Sequence, residues 1–386
     1  MVNATRALRQ PFSLRLATGF FITFWALLAL FPLFWIGVMS FRLPVDAFAA
    51  NPLQVLFGTI TQREVGGVSL IHLVLVALTV VAFYKAPSLY ARHITKQSAP
   101  ARRLWFAAAL LYPLAATAVW YILPMIADAI AWLISPIPLV NQLATPVGLT
   151  TQHYEAVWVD NGFYKNFINS LIVTAGVVTI SLTVGTLAGY GLARSGSNLA
   201  FWLLIAALIF RALPHSVLVT GYLPSFINSA EILQPILGEA APTLYGKPWA
   251  VIIVLVSINQ PFTIWMLRSF FQNIPAELDE AARVDGCSHF EAFRRVIMPV
   301  MWPGVITTGL FSFLLAYNDY LVTALLLDAQ NQTMVPAITQ YFNRETTTTD
   351  QIEAVAAAVS ITAPLFLLVM IFQKQIVSGL TAGAIK

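Results

Sequence analysis

A dense group of charged side chains occupies residues 280–299, between two long uncharged stretches. Charge is scarce elsewhere, because only 10% of the 386 residues are Asp, Glu, Lys or Arg. Clustered carboxylates and basic groups can serve as acid–base catalysts, as metal ligands or as a docking surface for another protein. The reactive residues in the rest of the sequence help to decide among these three kinds of chemistry.

The motifs of catalytic and metal sites are absent from the sequence. No two of the five histidines share a metal-ligand spacing, and HExxH, a Walker A loop and G-x-S-x-G do not occur. Cys287 is the only cysteine, which excludes an intrachain disulfide and a CxxC site. We expect no catalytic residue, no metal site and no cofactor bound by this chain, so a transporter or channel is favoured over an enzyme. No nucleic-acid partner is expected either, because no basic face is interleaved with aromatic residues.

The charged segment itself predicts two short helices joined by a glycine turn. The three acidic residues at 277–280 suit a first helical turn, where the helix dipole favours anions. Asp285-Gly286 indicates a turn, since glycine takes a positive φ readily. Ser288 and Glu291 have the spacing of a capping box for the second helix, and Pro299 marks where the next element begins.

Ala281 and Ala282 add a small, flat patch to the first of these helices, which allows close approach by another surface. On local pattern alone, a solvated loop helix and a docking surface are equally favoured.

The elements that must position this segment are apolar helices. The chain is 58% hydrophobic with a mean hydropathy of +0.76, and a helix needs about 20 apolar residues to cross a membrane. Strands are not expected, because the apolar runs do not alternate with polar residues. We predict an all-α polytopic membrane protein with about eight transmembrane helices. The predicted spans are 16–41, 65–84, 104–127, 166–193, 199–224, 248–267, 296–318 and 354–373.

The basic residues predict the orientation of these helices. With the N-terminus inside, 15 of the 21 Lys and Arg residues lie in inner segments and five lie in outer loops. Membrane proteins usually carry an excess of basic residues on the cytoplasmic side. We therefore predict a multi-pass protein with both termini in the cytoplasm.

Several motifs, in a common order, resemble those of ABC importer permeases. The central one is Glu280-Ala281-Ala282, then Gly286, then V-I-M-P ending at Pro299, which is similar to the E-A-A, Gly and I-x-L-P signature of that family. The other motifs are NFINSLIVTA at 166–175, AGYGLAR at 188–194, FFQNIPAELDEAARVDG at 270–286, FSFLLAYNDYL at 311–321 and GLTAGAIK at the C-terminus. The last is similar to the end of the MalG-like carbohydrate-uptake permeases.

The resemblance implies a six-helix permease core that works by alternating access. In that family the loop at 274–299 docks in a cleft of the ATPase subunit, so this loop should couple ATP hydrolysis to transport. The residues expected to do so are Glu280, Ala281, Ala282, Asp285, Gly286 and Pro299.

The resemblance also implies partners, a membrane and a solute. The partners are a second, different permease (giving a heterodimer), an ATP-binding cassette ATPase dimer that uses ATP and Mg, and an extracytoplasmic solute-binding protein. The membrane is the bacterial cytoplasmic (inner) membrane, with its lipid as a further partner. The solute is expected to be a sugar or sugar derivative.

The match to the family divides the chain into four parts. Residues 1–42 are expected to hold a cytoplasmic N-terminus and the first span, 160–373 the permease core, and 374–386 a cytoplasmic tail. Residues 43–159 match no part of the family and are expected to form an insert with an extra pair of spans and outer loops. The basic loop at 85–103 should be cytoplasmic, either as an orientation signal alone or in contact with anionic lipid or a partner.

Two charged residues lie within or at the end of predicted spans: Arg211 inside 199–224, and Asp319 directly after 296–318. An unpaired charge at mid-membrane costs about 2.5–3.5 kcal/mol, so each should face the protein interior or a watery cavity. In one interpretation the two pair, or Arg211 caps carbonyls freed by Pro214. In the other, the four residues from Tyr317 to Tyr320, among them Asn318 and Asp319, help to line the solute path. Successive helical residues differ by about 100°, so at most two of these can line it, and Asn318 with either Tyr317 or Asp319 is favoured.

Three other functions are left open. An ion-coupled secondary transporter would need a relay of intramembrane ionisable groups, and the spans hold few. A membrane-embedded enzyme would need a convergent set of Asp and His residues, which the sequence does not show. An ABC permease for a solute other than a carbohydrate fits the same motifs.

Overall fold

The computed structural model describes residues 12–69, 71–81, 121–133, 146–343 and 347–382, together with residues 117 and 136. The chain divides into two compact units, Met1–Tyr154 with Thr347–Ala356, and Glu155–Thr346 with Ala357–Lys386. The predicted cytoplasmic loop at 85–103 and the last four residues of the GLTAGAIK motif lie outside the described residues.

The first unit begins with one long apolar helix and continues in short elements. Short helices follow from local signals: the Asn51 side chain caps the N-terminus of one, and Gly58, with a φ of 62°, ends it. The elements are α1 (Phe12–Met39), α2 (Pro44–Ala47), α3 (Pro52–Phe57), α4 (Thr59–Glu64), β1 (Gly67–Ser69), α5 (Ile71–Val81), α6 (Tyr121–Leu133), β2 (Pro146–Gly148) and α7 (Gln152–Glu155).

The two strands bring distant parts of the first unit together. β1 and β2 pair in an antiparallel manner, with Gly67 opposite Gly148 and Ser69 opposite Pro146. The two ends of the stretch at 70–145 therefore lie side by side, which is compatible with an even number of membrane crossings in between.

The predicted extra pair of spans at 65–84 and 104–127 stays a prediction, because much of both ranges lies outside the described residues. The described helices α5 and α6 are apolar but shorter than a span. The helix in the first range begins at Ile71 rather than at 65, because β1 occupies the residues before it.

A buried polar network holds the chain that follows α1. Arg42, which is 2% exposed, donates hydrogen bonds to three backbone carbonyls of α3 and β2. Asp46 is fully buried and accepts from the amide and the hydroxyl of Thr61, at 2.6 and 2.8 Å. Buried charges persist where hydrogen bonds replace their lost hydration. Both charges therefore serve to fix α2, α3 and α4 against β2.

His153 makes the first unit sensitive to pH. Its ring is buried, and Nε2 donates to the Arg42 carbonyl at 2.9 Å. Burial lowers the pKa of His153 below its ordinary value of 6.5. The unfolded protein therefore binds more protons than the folded one at acidic pH, so this contribution to stability is complete above about pH 6.5 and is lost as the pH falls.

We expect the midpoint of thermal unfolding to fall between about pH 7.5 and pH 5.5, and the fall to be smaller in His153→Gln. Glutamine keeps an N–H donor for the Arg42 carbonyl but does not titrate. Exposed His289→Gln is the control and should keep the wild-type pH dependence. Equal pH dependence in wild type and His153→Gln would refute this role.

The second unit contains the long helices that surround the charged segment. It begins with a π-helical turn (Ala156–Asp160) and includes a 3-10 turn (Gly238–Ala240). Its helices are α8 (Tyr164–Arg194), α9 (Asn198–Arg211), α10 (His215–Ile227), α11 (Ser229–Leu237), α12 (Pro248–Gln272), α13 (Glu277–Val284), α14 (His289–Ala292), α15 (Met298–Tyr317), α16 (Leu321–Leu326), α17 (Met334–Asn343) and the part of α18 (Thr348–Ala382) from Ala357 onward. A second π-helical turn (Phe293–Ile297) joins α14 to α15.

The core of this unit is the packing of α8 against α12 and α15. Val173 and Val177 of α8 are buried with Val251 and Leu255 of α12. The two helices approach closely at Gly189, where a Cβ atom would lie 3.0 Å from a backbone nitrogen of α12. Small residues permit such close packing between membrane helices.

The predicted six-helix core is confirmed in the described residues. Five helices are long and apolar enough to cross a membrane, and α9 with α10 makes a sixth if that pair is one span. The run at 199–224 is not one straight helix, because α9 and α10 meet at an angle of 96°. Pro214 lies in the break, and a proline interrupts the helical hydrogen bonds.

Candidate coupling site

The charged segment folds as its local pattern predicts. Three acidic residues lie in the first turn of α13. Asp285 and Gly286 form an exposed turn in which Gly286 has a φ of 91°. Ser288 and Glu291 make both hydrogen bonds of a capping box at α14. The predicted helix, glycine turn and second helix are confirmed.

The prediction that a new element begins at Pro299 is confirmed to within one residue, because α15 begins at Met298. Helical backbone runs without a break from His289 to Tyr317, and Pro299 lies in the first turn of α15. A proline ring inside an α-helix clashes with the carbonyl four residues earlier and removes one hydrogen bond. The wider π-helical turn at Phe293–Ile297 directly precedes it and accommodates the ring.

Asp279 attaches α13 to the end of α8. Its carboxylate accepts from the Tyr190 hydroxyl at 2.6 Å and from Arg194 Nε at 2.8 Å. Arg194 also donates to the Ile274 carbonyl at 3.1 Å, just before α13 begins. The side chains of Arg194 and Asp279 are only 22% and 14% exposed, so water competes little for these bonds. The first charged helix is thus fixed to a membrane-spanning helix.

Aromatic rings of the apolar core also pack against the charged segment. The Tyr190 ring lies 5.5 Å from Phe271 and 4.8 Å from Phe293, measured between ring centroids. Phe271, Phe293 and Ile297 are buried in one apolar cluster that joins α12 to α15. The charged segment therefore packs against the three long helices α8, α12 and α15.

The opposite face of the segment is open. Val284 is 88% exposed and, with Glu280 and Arg283, borders a groove of about 560 Å³. Ala281 is exposed, but Ala282 is buried against the protein. The predicted flat patch is therefore wrong for Ala282, since neighbouring helical residues point about 100° apart. The exposed surface offers acidic, basic and apolar groups together.

Tyr317 does not line a solute path in this structure. Its side chain is 2% exposed, and its hydroxyl donates to the Ile361 carbonyl at 2.9 Å. The ring also stacks on Phe313, with centroids 4.9 Å apart. The prediction that Tyr317 meets the solute is therefore wrong for this conformation, because packing between α15 and α18 takes up its polar group.

Asn318 and Asp319 end α15 and lead into α16. Asn318 is exposed and donates back to the Leu314 carbonyl at 3.1 Å. The Asp319 carboxylate accepts from the Thr323 amide at 2.9 Å, which satisfies an unpaired N–H at the start of α16. Their assignment to a solute path stays a prediction.

Arg211 does not pair with Asp319. The ion pairs among the described residues are Arg194–Asp279 and Arg295–Glu291. The Arg211 guanidinium instead lies over the Phe262 ring, 4.9 Å from its centroid, and its buried Nε has no hydrogen-bond partner in the described part of the chain. Both structural predictions for Arg211, the pairing and the capping of carbonyls near Pro214, are wrong. An attractive cation–π contact stabilises the charge in their place.

The sequence analysis missed the role of Tyr190 and Arg194. Both lie in the AGYGLAR motif, whose match to the family was noted without a function. The signal was present, because an Arg and a Tyr at the end of a predicted span are followed by an acidic helix. Their contact with Asp279 depends on how α8 and α12 pack, which no local pattern reveals.

The sequence of this chain is similar to those of known transport proteins. Residues 181–381 match the family described as binding-protein-dependent transport system inner membrane component. The diacetylchitobiose uptake system permease protein DasC of Streptomyces coelicolor is 32% identical over 248 residues, covering 64% of this chain and 84% of that protein. The trehalose transport system permease protein SugB of Mycobacterium tuberculosis is 31% identical over 242 residues, covering 62% and 84%.

One solved structure similar to this chain is that of a bacterial ABC transporter involved in the import of the acidic polysaccharide alginate. The similarity covers 72% of this chain and 98% of that chain, with 18% identity and a TM-score of 0.47. The family model matches more than half of the chain and includes the whole charged segment, α12 and α15. The chain belongs to the family of inner membrane components of binding-protein-dependent transport systems.

Proposed function

We propose that this chain is one of two permease subunits of an ATP-driven importer for a sugar or sugar derivative. The observation that carries the proposal is the charged segment: one face is fixed to α8 by Asp279, and the other face is open. A segment that only covered the protein would not need a buried charged anchor. A segment that transmits movement from a partner needs both features.

The partners follow from the family. A second, different permease completes the pathway, a dimer of ATP-binding cassette subunits binds ATP and Mg, and an extracytoplasmic solute-binding protein delivers the solute. This chain binds no cofactor and hydrolyses no ATP itself. The open face of α13 and α14, with Glu280, Arg283 and Val284, is the surface for the ATPase.

The mechanism is alternating access driven from the charged segment. When the ATPase dimer closes, it moves α13, and the bonds from Asp279 to Tyr190 and Arg194 carry that movement to α8. Since α8 has 31 residues, its far end lies about 46 Å away. The ATPase can shift the equilibrium only by binding the segment more tightly in one state than in the other.

Two relatives support a carbohydrate as the solute, because their names assign them to diacetylchitobiose and trehalose transport. The test is uptake by the complete transporter reconstituted in vesicles with its solute-binding protein, which is first screened against sugars, polyols and amino acids by thermal shift. We expect uptake of a sugar that requires ATP inside and is abolished by vanadate. Uptake driven by an ion gradient without ATP would contradict the importer, and ATP-driven uptake of amino acids alone would contradict the solute class.

The proposed orientation places the charged segment in the cytoplasm, with both termini on the same side of the bacterial inner membrane. Val284 and Gln330 are both exposed and lie near opposite ends of α8. In a Cys287→Ser background, Gln330→Cys should react with an impermeant thiol reagent added outside intact spheroplasts. In cells that lack the ATPase subunit, Val284→Cys should react only after permeabilisation, and the reverse pattern would overturn the orientation.

A further inference from the structure

A small polar cavity lies at the end of α8 opposite the charged segment. Its volume is about 180 Å³, and it lies between the chain just before α8, the loop before α17, and α17 itself. Asn166, in the first turn of α8, contributes to its wall, whereas Tyr190 and Arg194 bind Asp279 at the other end. In the proposed orientation the cavity therefore opens on the outer side of the membrane.

The wall of this cavity is made of amide groups and aromatic rings. None of the described residues that line it carries a charge, and two alanines complete the described wall. The amides and rings are those of Asn161, Asn166, Gln332, Gln340, Phe163 and Tyr341. Each side-chain amide offers two N–H donors and an oxygen with two lone pairs.

Internal hydrogen bonds hold three of these amides in place. Asn166 Nδ2 donates to the Gln332 carbonyl at 2.9 Å, and Gln340 Nε2 donates to Gln332 Oε1 at 2.7 Å. The Met334 amide, next to this loop, is tied to α8 by the Ser170 hydroxyl at 2.9 Å. Groups that are already ordered lose less entropy when a ligand binds. After these bonds, the Asn166 oxygen and the second N–H of Gln340 still have hydrogen-bonding capacity.

We propose that this cavity binds one ring of a neutral sugar as it arrives at the permease. Sugar hydroxyls both donate and accept, as amides do, and an aromatic ring offers an apolar face to the C–H side of the sugar. An ionic ligand would lose its hydration without meeting a compensating charge. The volume equals that of about six water molecules and is below the 300 Å³ or more of most ligand pockets, which suits a single ring better than an oligosaccharide.

This inference rests on the proposed function and adds the place where the permease itself first holds the solute. The complete transporter in lipid nanodiscs, without the solute-binding protein, is examined by saturation-transfer NMR with glucose and trehalose as probes. We expect saturation of the ring protons in wild type. Gln340→Leu should weaken the affinity by about fivefold, as expected for the loss of one neutral hydrogen bond. Ala337→Met, which fills the cavity, should abolish the signal.

The control is Gln330→Leu, which removes an exposed amide from the same loop without altering the cavity wall and should leave the affinity unchanged. Glucose 6-phosphate should give no signal. Absence of signal for both neutral sugars in wild type, or equal affinities in wild type and both cavity variants, would overturn the site. If the cavity fails this test but ATP-driven sugar uptake is observed, the proposed importer still stands. If the cavity binds sugar but the transporter takes up no sugar, the proposed importer is refuted and the cavity site is not.

Discussion

Arg194→Ala is expected to lower solute uptake by about tenfold, while the amount of protein in the membrane stays near that of wild type. The substitution removes the charge-assisted bond to Asp279 and the bond to the Ile274 carbonyl. Such bonds contribute about 1.5–3 kcal/mol when one partner is charged and little water competes, which is more than a tenfold change in a two-state equilibrium. The apolar cluster of Phe271, Phe293 and Ile297 still stabilises the fold, so the substitution should impair coupling rather than folding. ATP hydrolysis should continue with little transport.

A double-mutant cycle with Asp279→Ala separates the anchor from unrelated effects. If the two residues act through their shared contact, the loss in the double variant should be clearly smaller than the sum of the two single losses. Arg295→Ala is the matched control, because its contact with Glu291 spans 3.5 Å and both side chains are largely exposed, at 69% and 42%. Exposed pairs of this kind contribute little. Normal uptake by Arg194→Ala, or additive losses in the cycle, would contradict the anchor.

Gly286→Val should abolish coupling more completely than the loss of any one exposed side chain of the segment. A Cβ at this position would meet no atom within 4 Å, so space is not the limit. The φ of 91° is the limit, because L residues take positive φ at a cost of about 1–2 kcal/mol, and β-branched residues pay more. The substituted valine would have to rotate to negative φ, which would change the angle between α13 and α14. Uptake and solute-stimulated ATP hydrolysis should both be lost.

Gly191 is the control for the explanation that the positive φ of Gly286 is what matters. Gly191 also has open space around its Cβ position, but it lies inside α8 and its φ is not positive. Gly191→Ala should be neutral or slightly stabilising, since alanine suits a helix better than glycine. Gly286→Ala should be harmful, and Gly286→Asn less harmful than Gly286→Val, because Asn tolerates positive φ. Equal uptake by Gly286→Val and wild type would exclude a role for this turn.

Features set by local chemistry could be predicted from the sequence. Acidic residues in a first turn, a glycine after the last turn and the Ser288–Glu291 box each act over a few residues, so the helix–turn–helix form of the segment was predictable. The spans of the six-helix core were predictable for a related reason, because the cost of burying charge in lipid acts on each run separately.

Features set by packing could not be predicted in this way. Tyr317 carries a polar group that suits a solute, but whether it meets solute or the Ile361 carbonyl depends on where α18 passes. Arg211 needs a partner in the membrane, and the sequence suggests a carboxylate, although an aromatic ring on another helix serves instead. The contact of Arg194 with Asp279 likewise forms only when α12 has packed on α8.

The pairing of β1 with β2 has a consequence for how the first unit can be shortened. Ser69 and Pro146 are opposite each other in an antiparallel pair, so their Cα atoms lie about 5 Å apart, a gap that a two-residue hairpin turn closes. A variant with such a turn in place of residues 70–145 should keep every hydrogen bond of Arg42 and Asp46, because their partners lie outside that range. Arg42 and Asp46 can therefore hold α2, α3 and α4 against β2 without a contribution from residues 70–145.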